Sequence, residues 1–391
     1  MKILHIAPTP FFADRGCHMR ILGEIKHLQS MGHAIVLATY HIGKDINNFN
    51  INRIINIPWY KKLEAGGSWH KLYLDILLLW TSIRTFLKLK PDIIHGHLHE
   101  GALIGWLVSR LASAGRIPVV FDVQGSLSGE MESYGLIRKK GVLKHVFFVI
   151  EKLICKFPDY FVCSAESNRS FLRSAMNLPE KKLVTVLDGI DSDFFYSLPG
   201  EKIREEIGIQ NSKKIVLYTG SLMQSKGIDY FLESIPEIIK HYHDVHFLIV
   251  GHPVEHSRKR VEQLKIDNFI YFTGHVNYFE LAKYLHIADV AVDPKVDDAG
   301  EGSGKIINYM GAGLPIVCFE SVNNRAFLAE NGVFAKPRDP ADLAAKIVHL
   351  LINDEMAIKI GWANQKRVFE KFSWAISGEV LLQVYRQAIQ N

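Results

Sequence analysis

Short apolar runs alternate with helically spaced apolar positions along most of the chain. Lys2 to Ala7 reads as a buried strand, and after a loop holding Pro8, Pro10 and Gly16, residues Ile21, Leu22, Ile25 and Leu28 recur at helical spacing up to Gly32. Ala34 to Tyr40 returns to strand. The alternation continues with strand Asp92–His95, a helix near Leu103–Leu111, strands Pro118–Asp122 and Tyr160–Ser164, helix Asn168–Met176 and strand Leu183–Leu187. Strands separated by helices predict a mostly parallel sheet with helices on both faces, because parallel neighbours need a crossover.

Asp188 to Pro199 is turn-rich and suits an interdomain linker. A second series follows. Ile215–Thr219 is a strand, and Ile228, Phe231, Leu232, Ile235, Ile238 and Ile239 mark an amphipathic helix. Val245–Val250, Phe269–Thr273, Val290–Asp293 and Pro315–Phe319 are β-rich runs, between helical segments around Val261–Leu264, Phe279–Leu285 and Ile306–Met310. From Pro340 onward the spacing is helical. The expected fold is α/β with two doubly wound domains, residues 1–190 and 200–373, and a final helix over 374–391. Open sheets of this type bind ligands at the carboxyl ends of their strands, so the strand-to-helix loops are where chemistry is expected.

A length of 391 residues fits two or three domains, and an apolar fraction of 48% with 22% charged residues excludes disordered, collagen-like and small disulfide-stapled classes. The net charge of +5 is too mild for nucleic acid to be the main partner. Cys17, Cys155, Cys163 and Cys318 show no C-x-x-C spacing, which suits reduced thiols in a cytoplasmic protein. The first residues lack the shape of a signal peptide, and Leu72 to Leu87, with Asp75 and Arg84 inside it, is too short for a bilayer span.

Three loops could carry chemistry. Gly300-Glu301-Gly302-Ser303-Gly304-Lys305 opens a helix, where glycines allow close backbone approach and free amides suit a phosphate or a sugar hydroxyl. It is neither G-x-G-x-x-G nor a P-loop, and a plain tight turn is the alternative. Gly220 to Gly227 places Lys226 at the start of a helix, where it can neutralise part of a diphosphate or simply be solvated. Pro8 to Gly16 has Arg15 and Arg20 beside it. His95, His97 and His99 would share one face if extended, a hint of zinc, but spacing supplies no fourth ligand. Residues 138–156 read either as a basic amphipathic helix on an anionic membrane or as a core-facing helix with a solvated basic edge.

These residues together resemble the retaining glycosyltransferases of family 4. The marks are Arg15-Gly16-Cys17, Ser30-Met31-Gly32-His33, Pro91 to His95, Asp188 to Phe195, Tyr218-Thr219-Gly220-Ser221 with Lys226-Gly227, and above all Gly302 to Pro315. The resemblance implies the GT-B architecture, two Rossmann-like domains facing each other across a cleft, with residues 374–391 crossing back to the first. It implies a nucleoside-diphosphate sugar held by the second domain and a glycan or glycolipid acceptor offered to the first. By position it assigns Glu301 to the donor sugar, Lys226 to the phosphates, and Gly16, Ser221, Gly302, Ser303, Gly304, Lys305 and Asn308 to the donor site; His18 and Gln124 are candidates on the acceptor side. It implies no metal and no cofactor, since cationic side chains and helix dipoles stabilise the leaving diphosphate. Three positions depart from the family pattern. Asn308 stands where a second glutamate is usual, Ser221 where many members have an arginine, and Gln124 at or near a usual histidine. The expected function is retaining transfer of a sugar to a hydroxyl in surface polysaccharide or glycolipid synthesis, in the cytoplasm, either free or peripheral on the membrane's inner face. A sugar-nucleotide-binding scaffold without turnover and a sugar-nucleotide epimerase are the alternatives.

Overall fold

The computed structural model describes residues 1–63, 68–113, 116–133, 137, 141–191, 195, 201–296 and 303–390. Glu301 and Gly302, residues 138–140 of the basic stretch and most of the linker lie outside them. The chain divides into two compact units, Met1–Gly189 with Trp374–Asn391, and Ile190–Asp297 with Ser303–Ser373.

The first unit is built on seven parallel strands: β1 (Lys2–Ala7), β2 (Ala34–Thr39), β3 (Ile51–Arg53), β4 (Ile93–His97), β5 (Val119–Val123), β6 (Tyr160–Cys163) and β7 (Leu183–Thr185), in the order β3-β2-β1-β4-β5-β6-β7. Side chains alternate across the sheet. Leu4, Ile6 and Ile94 face helices Lys71–Leu89 and Leu98–Ala112, forming an apolar core with Leu74, Leu78, Ile104 and Val108. His5, His95, His97 and Asp122 point to the other face, toward helices Gly16–Ser30 and Trp374–Gln390. Those two helices pack closely: a Cβ on Gly23 would meet the Trp374 ring at 1.9 Å.

Helix Lys71–Leu89 shows why periodicity alone missed it. Leu74, Leu78 and Phe86 are buried, yet Leu72, Ile76, Trp80 and Leu87 are exposed, so apolar residues surround the helix and no polar face marks it. Its Asp75 accepts a hydrogen bond from the Tyr40 hydroxyl at 2.6 Å. Burial, then the nearby Glu100 carboxylate, push the Asp75 carboxyl up to about 7. A native pKa above the unfolded one contributes stability at low pH that fades as pH rises through about 7. Urea midpoints of the wild type should therefore fall between about pH 4 and 7 relative to those of Asp75→Asn and run level above that; parallel profiles would remove Asp75 as the cause.

The second unit has six parallel strands: β8 (Lys214–Thr219), β9 (Val245–Val250), β10 (Ile270–Gly274), β11 (Val290–Asp293), β12 (Ile316–Phe319) and β13 (Val333–Ala335), in the order β10-β9-β8-β11-β12-β13. Ile228, Phe231, Leu232, Ile235 and Ile238 bury one face of helix Ile228–His241 against Val216, Tyr218 and Phe247, as their spacing predicts. Helix Pro340–Leu351 joins that core, its start fixed by Pro340 and by Asp339 accepting the amides of Ala341 and Asp342. Each sheet reverses its strand order once, between β1 and β4 and between β8 and β11. Ligands of doubly wound sheets bind at such points, which singles out the loops leaving β8 and β11.

Candidate active site

In the second unit those two loops are locked together. Gly227 has φ +79°, and a Cβ there would lie 1.9 Å from the Pro294 carbonyl oxygen, so the turn after β8 rests directly on the backbone leaving β11. Lys226 precedes it, half-buried at the end of a short turn in which its N–H donates to the Met223 carbonyl at 2.9 Å. From Pro294 the chain runs toward Ser303 and helix Gly304–Gly311. That helix is tied back to β8, because the Thr219 N–H donates to the Tyr309 hydroxyl at 2.8 Å. A Cβ on Gly251 would lie 1.9 Å from the Gly220 carbonyl oxygen, so the β9 exit closes on the β8 exit as well.

The structure places the expected donor residues in different roles. Gly304 is exposed at the first turn of its helix, and Ser303 is buried, its hydroxyl without a hydrogen-bond partner among the described residues. Amides at a helix start, beside an unpaired hydroxyl, can receive an anion or sugar hydroxyls. Lys305 instead turns inward. Its ammonium lies 3.2 Å from the buried Asp293 carboxylate and 4.1 Å from the centre of the Tyr218 ring, which fastens the helix to β8 and β11. Burial pushes the hydroxyls of Tyr218 and Tyr309 up, so both stay protonated. Asn308 is half-buried with its amide oxygen 3.5 Å from the Tyr278 hydroxyl. Ser221 uses its carbonyl to accept the Tyr218 hydroxyl at 2.9 Å. The expected pair Lys226 and Glu301 is seen only through Lys226.

Of the expected residues of the first unit, Gly16 and His18 follow β1 at the β1/β4 reversal and Gln124 follows β5. Gly16 is exposed and opens helix Gly16–Ser30, with no described residue within 4 Å of a Cβ built on it. His18 is fully buried. Its Nδ1 accepts the Ala13 N–H at 2.9 Å, so Nε2 carries the proton and donates to Thr9 Oγ1 at 2.7 Å. Burial, then Arg15, hold its pKa well below the usual histidine range. With both nitrogens used, His18 holds the loop after β1 in place. Gln124 is half-buried and donates from Nε2 to Asp122 at 2.6 Å.

Sequence reasoning missed the charged centre of this unit. Arg20 bonds Asp122 at 2.8 Å, Asp188 at 2.8 Å and the Val186 carbonyl at 2.8 Å, with Glu24 at 3.3 Å. Burial pushes the Asp122 carboxyl up, but Arg20 and the His97 ring outweigh it and hold it below the usual carboxylate range. The i, i+4 spacing of Arg20 and Glu24 within an apolar helix stripe was the available signal.

Two expectations need correction. The three imidazoles on one sheet face are His5, His95 and His97; His99 leaves with helix Leu98–Ala112 and lies 3.2 Å from Glu151. In helix Val142–Ile154, Ile154 and Phe148 pack on the core and Glu151 is buried, while Val142, Leu143, Val146, Val149, Ile150 and Leu153 are exposed, so only one edge of its apolar surface faces the core.

The residue pattern and these two sheets agree with what the chain is similar to. Residues 16–194 match the family model described as Glycosyltransferase Family 4, and residues 213–353 match that described as Glycosyl transferases group 1. Glycosyltransferase family models thus match both units, and the chain is a glycosyltransferase. An uncharacterized glycosyltransferase of Methanocaldococcus jannaschii is 29% identical over 311 residues, 77% of this chain and 76% of the relative. Phosphatidyl-myo-inositol mannosyltransferase of Mycobacterium tuberculosis is 23% identical, covering 98% of this chain and 96% of its own length. The structure of Anabaena HepE in complex with UDP and glucose superimposes with a TM-score of 0.79 at 15% identity, covering 99% of both chains. The fold is thus the GT-B α/β fold, and the enzyme is a glycosyltransferase. Among the described residues no helix is long and apolar enough to cross a membrane.

Proposed function

We propose that this glycosyltransferase moves a sugar, with retention, from a nucleoside-diphosphate donor to a hydroxyl of a glycan or glycolipid in surface polysaccharide or glycolipid synthesis. The observation that supports it most is the seating of the Lys226–Gly227 turn on Pro294, which joins a cation to the loop that carries Glu301 and the amides from Ser303 onward. Lys226 then meets the diphosphate as its charge grows, and the helix amides add to that stabilisation without a metal at the reacting centre. The bond from the anomeric carbon to the leaving phosphate oxygen breaks while the acceptor oxygen bonds the same face. The acceptor proton passes to the leaving phosphate, so no side chain is needed as base. The UDP and glucose in HepE agree with a nucleotide-sugar donor.

Ligand-detected NMR against uridine, guanosine and adenosine diphosphate sugars in parallel should show one clear preference. Lys226→Ala should weaken that nucleoside diphosphate by about 10- to 100-fold, the size of a lost charge-assisted contact of roughly 1.5–3 kcal/mol. Unchanged affinity at matched ionic strength would remove Lys226 from the site. Slow donor hydrolysis without acceptor should fall in Glu301→Ala.

The exposed apolar face of helix Val142–Ile154, bordered by Lys144, Lys152 and Lys156, suits docking on an anionic membrane from which a lipid-linked acceptor is drawn. Vesicles containing phosphatidylglycerol should co-sediment with the wild type, and Val146→Asp with Val149→Asp should abolish this. Equal recovery of both proteins with the vesicles counts against the helix.

A further inference from the structure

On the face of the first sheet that meets helices Gly16–Ser30 and Trp374–Gln390, four ligating side chains converge in a closed space. His5 on β1 and His95 on β4 are register partners, and His97 follows two residues later on the same face. Glu24 descends from the helix above. One nitrogen or oxygen from each of the four lies within 4.8 Å of the others, and all four residues are buried. We propose that His5, Glu24, His95 and His97 form a structural site for a divalent transition ion of the zinc class, separate from the chemistry of sugar transfer.

The polar atoms themselves point to a missing partner. Among the described residues His95 Nε2 has no hydrogen bond, and the two Glu24 carboxylate oxygens, also without one, have only ion-pair contacts with Arg20 at 3.3 Å and with His95 at 3.5 Å, although each is shut off from water. Orphaned buried groups cost about 1–3 kcal/mol apiece, more for a charged one, so an ion would relieve several at once. Charge argues the same way. One guanidinium, Arg20, faces the three carboxylates of Glu24, Asp122 and Asp188, and a dication would bring that cluster to neutrality.

Geometry is close to what such an ion needs. Tetrahedral bonds of about 2.1 Å separate neighbouring ligand atoms by about 3.4 Å. His95 Nε2 to Glu24 Oε2 is 3.5 Å, and His5 Nδ1 and His97 Nε2 share a hydrogen bond of 2.9 Å, whose proton an ion held between the two rings would replace. The outer nitrogens are already held, as a metal-bound imidazole requires. His97 Nδ1 lies 2.9 Å from Asp122 Oδ2, and His95 Nδ1 lies 2.7 Å from the Tyr385 hydroxyl. Three imidazoles and one carboxylate favour zinc or its neighbours over magnesium or calcium, which prefer oxygen. Four protein ligands with no solvent access describe a closed site, hence a structural one.

The test uses the whole enzyme. After loading with zinc and dialysis against metal-free buffer, the wild type should retain one zinc per chain by elemental analysis, and cobalt loading should give the strong visible bands of a four-coordinate site. Thermal unfolding of the first unit should move upward with zinc. Glu24→Gln, which keeps the shape and removes a buried charge, should fold by circular dichroism yet hold zinc at least tenfold more weakly, as should His5→Asn. Failure of the wild type to retain zinc overturns the site. Undiminished retention in both variants also overturns it, because the ion would then sit on other histidines.

Discussion

Replacing Arg20 by Met should destabilise the first unit by about 3–5 kcal/mol, the usual consequence of removing one partner from a buried ion network. The side chain is 1% exposed, and its fork serves Asp122, Asp188 and the Val186 carbonyl together, each at 2.8 Å. Methionine fills much of the volume but leaves the three carboxylates facing one another with no cation between them. Arg20→Lys restores the charge without the planar fork and should recover only part of the loss. Urea unfolding followed by tryptophan fluorescence reads this well, since only Trp362 lies in the second unit. A midpoint for Arg20→Met within about 1 kcal/mol of the wild type would show that the network shapes the unit without stabilising it.

Gly227→Ala should lower donor affinity at least tenfold and cost stability of the second unit as well. Two effects combine at this position. A left-handed backbone costs a non-glycine residue about 1–2 kcal/mol, and the new Cβ would lie 1.9 Å from the Pro294 carbonyl oxygen. Neither is relieved by a side-chain rotation, because the obstacle is backbone. The exits of β8 and β11 must separate, moving Lys226 relative to the amides of helix Gly304–Gly311. Gly208→Ala isolates the first effect, since Gly208 has φ +70° and nothing within 4 Å of its Cβ. That control should lose about 1 kcal/mol and leave donor binding as it was. Equal affinity in Gly227→Ala, measured by calorimetry with the preferred nucleoside diphosphate, would detach the turn from the donor site.

Lys305 and His18 show where reading residues by position reaches its limit. Lys305 was expected at the donor and His18 was a candidate on the acceptor side; in the structure one contacts Asp293 and Tyr218 and the other Thr9 and Ala13. A motif fixes a residue's place along the chain. Which way its side chain turns depends on what the neighbouring strands present, and Asp293 and Tyr218 lie on separate strands. The helix Val142–Ile154 fails in the opposite sense: its apolar stripe was plain, but a stripe says nothing about whether anything covers it.

The strand-and-helix alternation, the two parallel sheets and the glycosyltransferase class were already determined by the sequence, because period-2 and period-3.6 apolar spacing and glycine turns act within a few residues. The triad His5, His95 and His97 with Glu24 was decided by the tertiary structure alone. It depends on β1 and β4 being neighbours although some ninety residues separate them, and on a helix laid over that pair in one rotation. Pairing register and helix rotation are set by the packing of the whole core, which no local pattern carries.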